Sequence, residues 1–289
     1  MHIKTDGNES KIMNAPLPVT DTAAPQRVRQ LPGPADKPPA HITVRGLYKN
    51  FNGSVIYENF DLDIPRGKFV SVFGPNGCGK STLINLISGL IPIDGGEILF
   101  DGKTLAETRI GYVFQNYREA LFPWMTAFAN IEYALKLRHV PKPEAQERVR
   151  KLVAHLGVQI DLTLFPYQMS GGQQQLVSIM RALVVEPEVL FLDEPFSALD
   201  YEMTLFMREQ LQRIFEETGT TMVLVSHDLE EAVYLADYVL LLSRRPARIA
   251  EYQMVPVARP RNDATLASPD FVELKRHCLE IFQREVRGS

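Results

Sequence analysis

Gly74-Pro75-Asn76-Gly77-Cys78-Gly79-Lys80-Ser81 follows directly on the apolar run Phe69-Val70-Ser71-Val72-Phe73 and leads into a helix-prone segment. Glycines at this spacing let successive backbone N–H groups turn inward on an anion, and a helix starting near Lys80 offers its positive end to the same charge. The stretch reads as a cradle for a nucleotide triphosphate, with Gly74 through Ser81 and the next residue, Thr82, making the contacts. Lys80 adds a mobile point charge for the β- and γ-phosphates, and Ser81 can place its hydroxyl on Mg2+. Cys78 lies among the same N–H groups beside Lys80. That setting predicts a lowered thiol pKa, alkylation of the thiolate, and protection by MgATP.

A second constellation is the strand-like run Val189-Leu190-Phe191-Leu192 followed by Asp193-Glu194. Two adjacent carboxylates at the end of a buried strand are costly without a cation. Asp193 is expected to hold Mg2+, and Glu194 to orient and deprotonate an attacking water. Asp-Glu-Pro also serves as an ordinary acidic turn; the phosphate loop in the same chain decides for catalysis. Ser170-Gly171-Gly172 at another helix start is a further anion site, built from backbone N–H groups and one hydroxyl.

These residues need a frame, and the rest of the chain supplies one. Residues 1–40 are rich in proline, without apolar periodicity, and read as a disordered tail. From Ile42, β-type segments separated by Asn52-Gly53, Asp94-Gly95-Gly96 and Asp101-Gly102 predict antiparallel strands around the phosphate loop. Ile110 to Phe114 is a strand ending at Gln115; residues 116–169 turn helical, with Val149, Leu152, Val153 and Leu156 on one face and Gly157 as a C-cap. Helix and strand then alternate from Gly172 to Leu242, the pattern of a mainly parallel sheet covered on both faces. The expected domains are an ATPase domain over 41–260, with 116–169 inserted as a helical subdomain, and a C-terminal helical extension over 261–289.

The formal charge of −4 gives no electrostatic case for a nucleic-acid partner. Two cysteines, one inside the phosphate loop, exclude a disulfide framework and a cysteine metal site. No apolar stretch approaches the roughly 20 residues of a membrane span and none resembles a secretory signal, so the chain is expected on the cytoplasmic side.

With Met169-Ser170-Gly171-Gly172-Gln173 in place, the chain resembles the ATP-binding cassette (ABC) ATPases over about Ile42 to Ile249. The resemblance implies an α/β P-loop NTPase with ATP and Mg2+ as cofactors. It implies a homodimer or pseudo-dimer in which each ATP lies between the phosphate loop of one cassette and Ser170-Gly171-Gly172-Gln173 of the other. Gln115 resembles the loop glutamine that reaches Mg2+ or the attacking water, His227 the switch histidine at the γ-phosphate, and Ser197-Ala198-Leu199-Asp200 the loop that crosses the dimer axis. Phe51 has the spacing of the aromatic that stacks on adenine, with Tyr48 the alternative. Leu176 stands where arginine is usual, and Ser178-Ile179-Met180 replaces an alanine-rich run; both departures lie on the signature helix.

Leu121-Phe122-Pro123-Trp124-Met125-Thr126, Glu194-Pro195-Phe196-Ser197-Ala198-Leu199-Asp200 and Leu242-Ser243-Arg244-Arg245-Pro246-Ala247-Arg248-Ile249 are together similar to the nitrate, sulfonate and taurine branch of bacterial importers. This branch implies ATP-driven uptake of a small anion through integral membrane permease subunits, served by a periplasmic substrate-binding protein. The ATPase would sit peripherally on the cytoplasmic face of the inner membrane, with Phe122 and Trp124 as apolar contacts or as core of the helical subdomain. Two other readings compete: a P-loop kinase, which leaves Ser170-Gly171-Gly172 without a purpose, and a soluble cassette that switches an assembly and has no membrane partner.

Overall fold

The computed structural model describes residues 39–116, 120–197 and 199–287. The proline-rich segment up to residue 38, and Ala198 of the stretch Ser197-Ala198-Leu199-Asp200, lie outside the described residues.

Two sheets organise the chain. Strands β1 (Ala40–Phe51), β2 (Ser54–Pro65) and β4 (Gly95–Phe100) form an antiparallel sheet in the order β2-β1-β4. Its hairpin closes on Asn52-Gly53 with φ of 49° and 89°, the left-handed pair that a two-residue turn between twisted strands requires. The larger sheet runs β5 (Ile110–Val113), β6 (Val189–Asp193), β7 (Thr221–Val225), β3 (Phe69–Phe73), β8 (Tyr238–Leu242) and β9 (Ile249–Met254). All neighbours in it are parallel except β8 and β9. This is the mainly parallel α/β architecture with an antiparallel β-subdomain that the sequence predicts.

Strands β3, β6 and β7 are buried along their whole length, which explains their unbroken apolar runs: both faces are covered. Successive side chains alternate between two cores. Val70, Val72, Phe191, Val223 and Val225 pack with the β-subdomain and helix α1 (Lys80–Ile87). Phe69, Leu190, Leu192, Met222 and Leu224 pack with the helical side.

Between β5 and β6 lie α2 (Ala127–Leu137), α3 (Lys142–Leu156) and α4 (Gly171–Leu183). Thr126 caps α2 through its side chain, and Gly157 ends α3 at φ 60°, a left-handed stop that favours glycine. Leu176, Ser178, Ile179 and Met180 are all buried on α4, so the departures from the family pattern are accommodated in its core face. Helices α5 (Tyr201–Thr218), α6 (Leu229–Leu235), α7 (Asp263–Leu266) and α8 (Pro269–Arg287) complete the fold.

Edge strand β9 has no counterpart in the sequence reading, because Ile249–Met254 is half-buried at every position and shows no alternation. The segment after it is tied back by Arg261, whose Nη1 donates to the carbonyls of Val233, Tyr234 and Ala236 at 3.1, 2.8 and 2.7 Å. On α8, Phe271, Leu274, Cys278 and Ile281 fill the helical-side core. Among the described residues no helix is long and apolar enough to cross a membrane.

Candidate functional site

Strand register brings the chemistry to one edge. Val72 pairs with Val225 on one side and Leu240 on the other, Asp193 with Val225, and Val113 with Leu192. The residues that follow these strands therefore emerge together at the C-terminal end of the sheet, where doubly wound folds bind ligands.

The loop Gly74–Gly79 leaves β3 and enters α1 with Gly77 at φ 73° and Gly79 at φ 124°. A Cβ on Gly79 would lie 2.8 Å from Ile56 Cγ2 and 3.0 Å from the Tyr57 hydroxyl, and one on Gly74 would lie 2.9 Å from the Leu242 carbonyl oxygen. Sterics thus demand glycine at both positions independently of any ligand. The Tyr57 hydroxyl donates to Gly79 O at 2.9 Å and props the loop from beneath. Lys80 is 7% exposed, and its Nζ donates to Gly74 O at 3.0 Å and Pro75 O at 3.3 Å. Asn76 and Gly77 are exposed, Pro75 and Cys78 buried, and Thr82 half-buried in the first turn of α1.

The reactive-thiolate expectation for Cys78 is corrected here. Burial pushes the thiol pKa up, and this outweighs the opposing pull of Lys80 and the loop N–H groups. The side chain points into the core beneath the loop at 2% exposure, so it is the burial of the sulfur, rather than the polarity of the loop, that governs it.

Ser81 Oγ donates to Asp193 Oδ1 at 2.8 Å. The Tyr112 hydroxyl stands 3.3 Å from Asp193 Oδ2 and 2.6 Å from Asn85 Oδ1. Burial raises the Asp193 pKa, Ser81 pulls it down, and the neighbouring Glu194 charge adds to the rise. A hydroxyl and a buried carboxylate side by side form an oxygen-only donor set that suits a hard divalent cation. Among the described residues no group of three His, Cys, Asp or Glu forms a self-sufficient metal cage. The pair therefore fits an ion that takes its remaining ligands from phosphate and water, as Mg2+ does.

Glu194 carries the most constrained backbone at the site. Its φ is 45°, a region that costs a non-glycine residue about 1–3 kcal/mol. It is held there by its N–H donating to Val225 O at 2.9 Å and its carbonyl accepting from Ser197 N–H at 3.2 Å. The carboxylate is thereby turned toward two residues from other strands. Gln115 Nε2 donates to Oε2 at 2.8 Å, and His227 Nδ1 lies 3.4 Å from the same oxygen. Gln115, Glu194 and His227 thus meet around one carboxylate oxygen, an arrangement able to orient a water and accept its proton.

A cavity of about 760 Å3 opens beside the loop, bounded by Asn76, His227, Arg245 and, from α8, Phe282. The Phe282 ring packs 5.1 Å from that of Phe73.

The remaining predicted residues lie elsewhere. Ser170 is exposed at the start of α4; its Oγ accepts from Gln173 N–H at 3.3 Å while its own N–H donates to Gln173 Oε1 at 2.9 Å. Gly171 opens α4, and Gly172 lies against Met203, whose Cγ is 2.3 Å from where a Cβ would be. Asp200 caps α5 by accepting from Met203 N–H at 2.8 Å. The starts of α4 and α5 are therefore neighbours. Phe51, at the end of β1, is 41% exposed with Lys49 Nζ 4.9 Å from its ring centre.

Sequence reasoning missed Tyr57, Tyr112 and Asn85. Each is polar within or beside an apolar element, which is a signal, but the partner of each is far away in the chain.

A family model described as ABC transporter matches residues 57–197. The chain is 36% identical over 270 residues to the bicarbonate transport ATP-binding protein CmpD of Synechocystis, covering 90% of this chain and 95% of that protein. It is 37% identical over 233 residues to the aliphatic sulfonates import ATP-binding protein SsuB of Bacillus subtilis, covering 80% and 88%. Among solved structures it is similar to the ATP-binding cassette MJ0796, solved as a dimer in a post-hydrolysis state bound to ADP and Pi. That likeness has a TM-score of 0.65 and 28% identity, and covers 75% of this chain and all of that one.

Proposed function

The chain belongs to the ABC transporter family, and from that premise we propose that it is the ATP-hydrolysing motor subunit of an importer of a small anion such as nitrate, a sulfonate or taurine. The observation that carries the proposal is the meeting of Gln115, Glu194 and His227 at the strand ends, beside the Ser81–Asp193 pair and the Gly74–Gly79 loop. Lys80 and the loop N–H groups bind the phosphates. Ser81 and Asp193, with Gln115, would hold Mg2+, which would offset phosphate charge. Glu194 accepts the proton of the attacking water, and His227 senses the γ-phosphate.

Ser170, Gly171, Gly172 and Gln173 serve the ATP of a second cassette. This reading is supported by the adjacency of the two elements expected at the dimer interface, the starts of α4 and α5. Phe51 stacks on adenine.

Integral membrane permease subunits dock on the helical side, and a periplasmic binding protein delivers the anion, so the chain works as a peripheral protein on the cytoplasmic membrane face. Supporting this, Trp124 is 70% exposed against Phe122, and a hollow of about 440 Å3 between Phe114, Phe122, Tyr133 and Arg181 lies beside it. Two relatives that this chain matches over most of their length are named for bicarbonate and aliphatic sulfonates, which supports a small anion as cargo.

The experiment is co-purification from gentle detergent combined with phosphate release from MgATP. Apolar permease subunits travelling with a chain that releases phosphate to water support the proposal. Phosphoryl transfer to an acceptor would support a kinase, and hydrolysis without a membrane partner would support the assembly switch.

A further inference from the structure

His227 is gripped by a buried network that the reading above does not use. Ser226, the residue before it, is fully buried; its hydroxyl donates to Glu231 Oε2 and accepts from Asp228 N–H at 3.0 Å. Asp228, the residue after it, caps α6 by accepting from the N–H groups of Glu230 and Glu231 at 2.8 and 3.4 Å. The backbone of His227 is thus fixed on both sides, while its ring is 56% exposed toward Glu194.

The grip has an anchor on another helix. Arg208 Nη2 lies 3.5 Å from Glu231 Oε1, with the two side chains 8% and 7% exposed, and 3.6 Å from Asp228 Oδ2. Glu230 lies 4.0 Å from Arg208 Nη1 and is also paired with Lys275 on α8 at 2.7 Å; of the three carboxylates around Arg208, Glu231 is the buried one. Arg208 belongs to α5, eight residues from the Asp200 cap, a distance of roughly 12 Å along the helix. A helix moves as a unit over that length, and a guanidinium held among three carboxylates of one segment carries its movement to that segment.

We propose that Arg208 and Glu231 are positioning residues for His227. Displacement of the Asp200 cap by a second cassette passes along α5 to the Arg208 guanidinium, from there to Glu231 and Ser226, and so to the His227 backbone. The inference rests on the dimeric-ATPase reading for its purpose, but the linkage itself is a property of one chain.

The test uses the full chain with the double replacement Arg208→Met/Glu231→Leu, which removes both buried charges together; of the other two carboxylates near Arg208, Glu230 keeps Lys275 and Asp228 is exposed to water. ATP affinity is expected to stay within about twofold while kcat falls about tenfold, the pattern of an interaction used only in turnover. On a His227→Ala background the same double replacement should cause no further fall, because its effect passes through that ring. An equal, multiplicative loss on that background overturns the proposal.

Arg208→Lys keeps the charge and loses the planar fork, so it serves if the double variant does not fold; its kcat should fall about threefold, with the same dependence on His227. The His227 imidazole 1H–13C NMR signal provides a readout free of turnover. It should move in both variants, and an unmoved signal overturns the proposal even in a chain that hydrolyses no ATP. Failure of the wild-type chain to hydrolyse MgATP would contradict the ATPase reading alone.

Discussion

The start of α1 and the start of α4 are both helix N-termini preceded by glycine or serine, yet their surroundings differ. At α1, Lys80 is 7% exposed, Tyr57 supports Gly79, Ser81 is bonded to Asp193, and Glu194 waits with Gln115 and His227 beside it. At α4, Ser170 is exposed and exchanges hydrogen bonds with Gln173. The first region holds the groups needed to bind and cleave a phosphate anhydride; the second is an exposed, capped helix start, which the proposal reads as an anion cup for the ATP of a second chain. The asymmetry is what a site completed by two chains requires, with each chain contributing one closed half and one open half.

The comparison breaks most sharply at Glu194. Glu194→Gln keeps the size and the Gln115 contact but cannot take a proton, so hydrolysis should fall by at least about a hundredfold with MgATP binding retained. A normal turnover measured by phosphate release would remove Glu194 from the chemistry.

The open half is tested by Ser170→Arg, which fills the cup with a bulky charge. Hydrolysis should fall about ten- to a hundredfold through loss of a γ-phosphate contact, while ATP affinity in equilibrium dialysis stays unchanged. A matching loss of affinity would place Ser170 in its own chain's site instead.

A smaller effect is expected at the adenine end. Phe51→Ala should weaken ATP binding by about 1–3 kcal/mol, the range for a base stacked on an aromatic ring, with Phe51→Tyr nearly silent. Unchanged affinity by calorimetry would move the role to Tyr48 or remove it.

The smallest effect concerns Cys78. Its raised pKa and burial predict slow alkylation at neutral pH both with and without MgATP, read by mass spectrometry. Cys278, pushed up to about 12 by burial, should behave alike. Rapid labelling of Cys78 that MgATP blocks would show that the loop opens in solution.

Much of this was legible in the sequence because the signals are local. Buried strands appear as apolar runs, Ser170, Asp200 and Asp228 cap the helices that follow them, and the phosphate loop, the signature and the Asp193-Glu194 pair are contiguous. What escaped depends on pairing across the chain. Tyr112 reaches Asp193 over 81 positions, and Arg208 reaches Glu231 over 23; no spacing rule announces either. Cys78 was misread because its neighbours in sequence are polar whereas its neighbours in space are apolar. Edge strand β9 lacks the alternation that marks a strand with one wet face.

The central claim, that Lys80 and Ser170 serve one ATP from two chains, is tested most directly by size-exclusion chromatography of Glu194→Gln with each nucleotide. With ATP, which persists in this variant, it should elute as a dimer; with ADP, which lacks the bridging γ-phosphate, as a monomer; and Ser170→Arg in the same chain should abolish the dimer while ATP stays bound. Elution as a monomer in saturating ATP at high protein concentration would contradict the account.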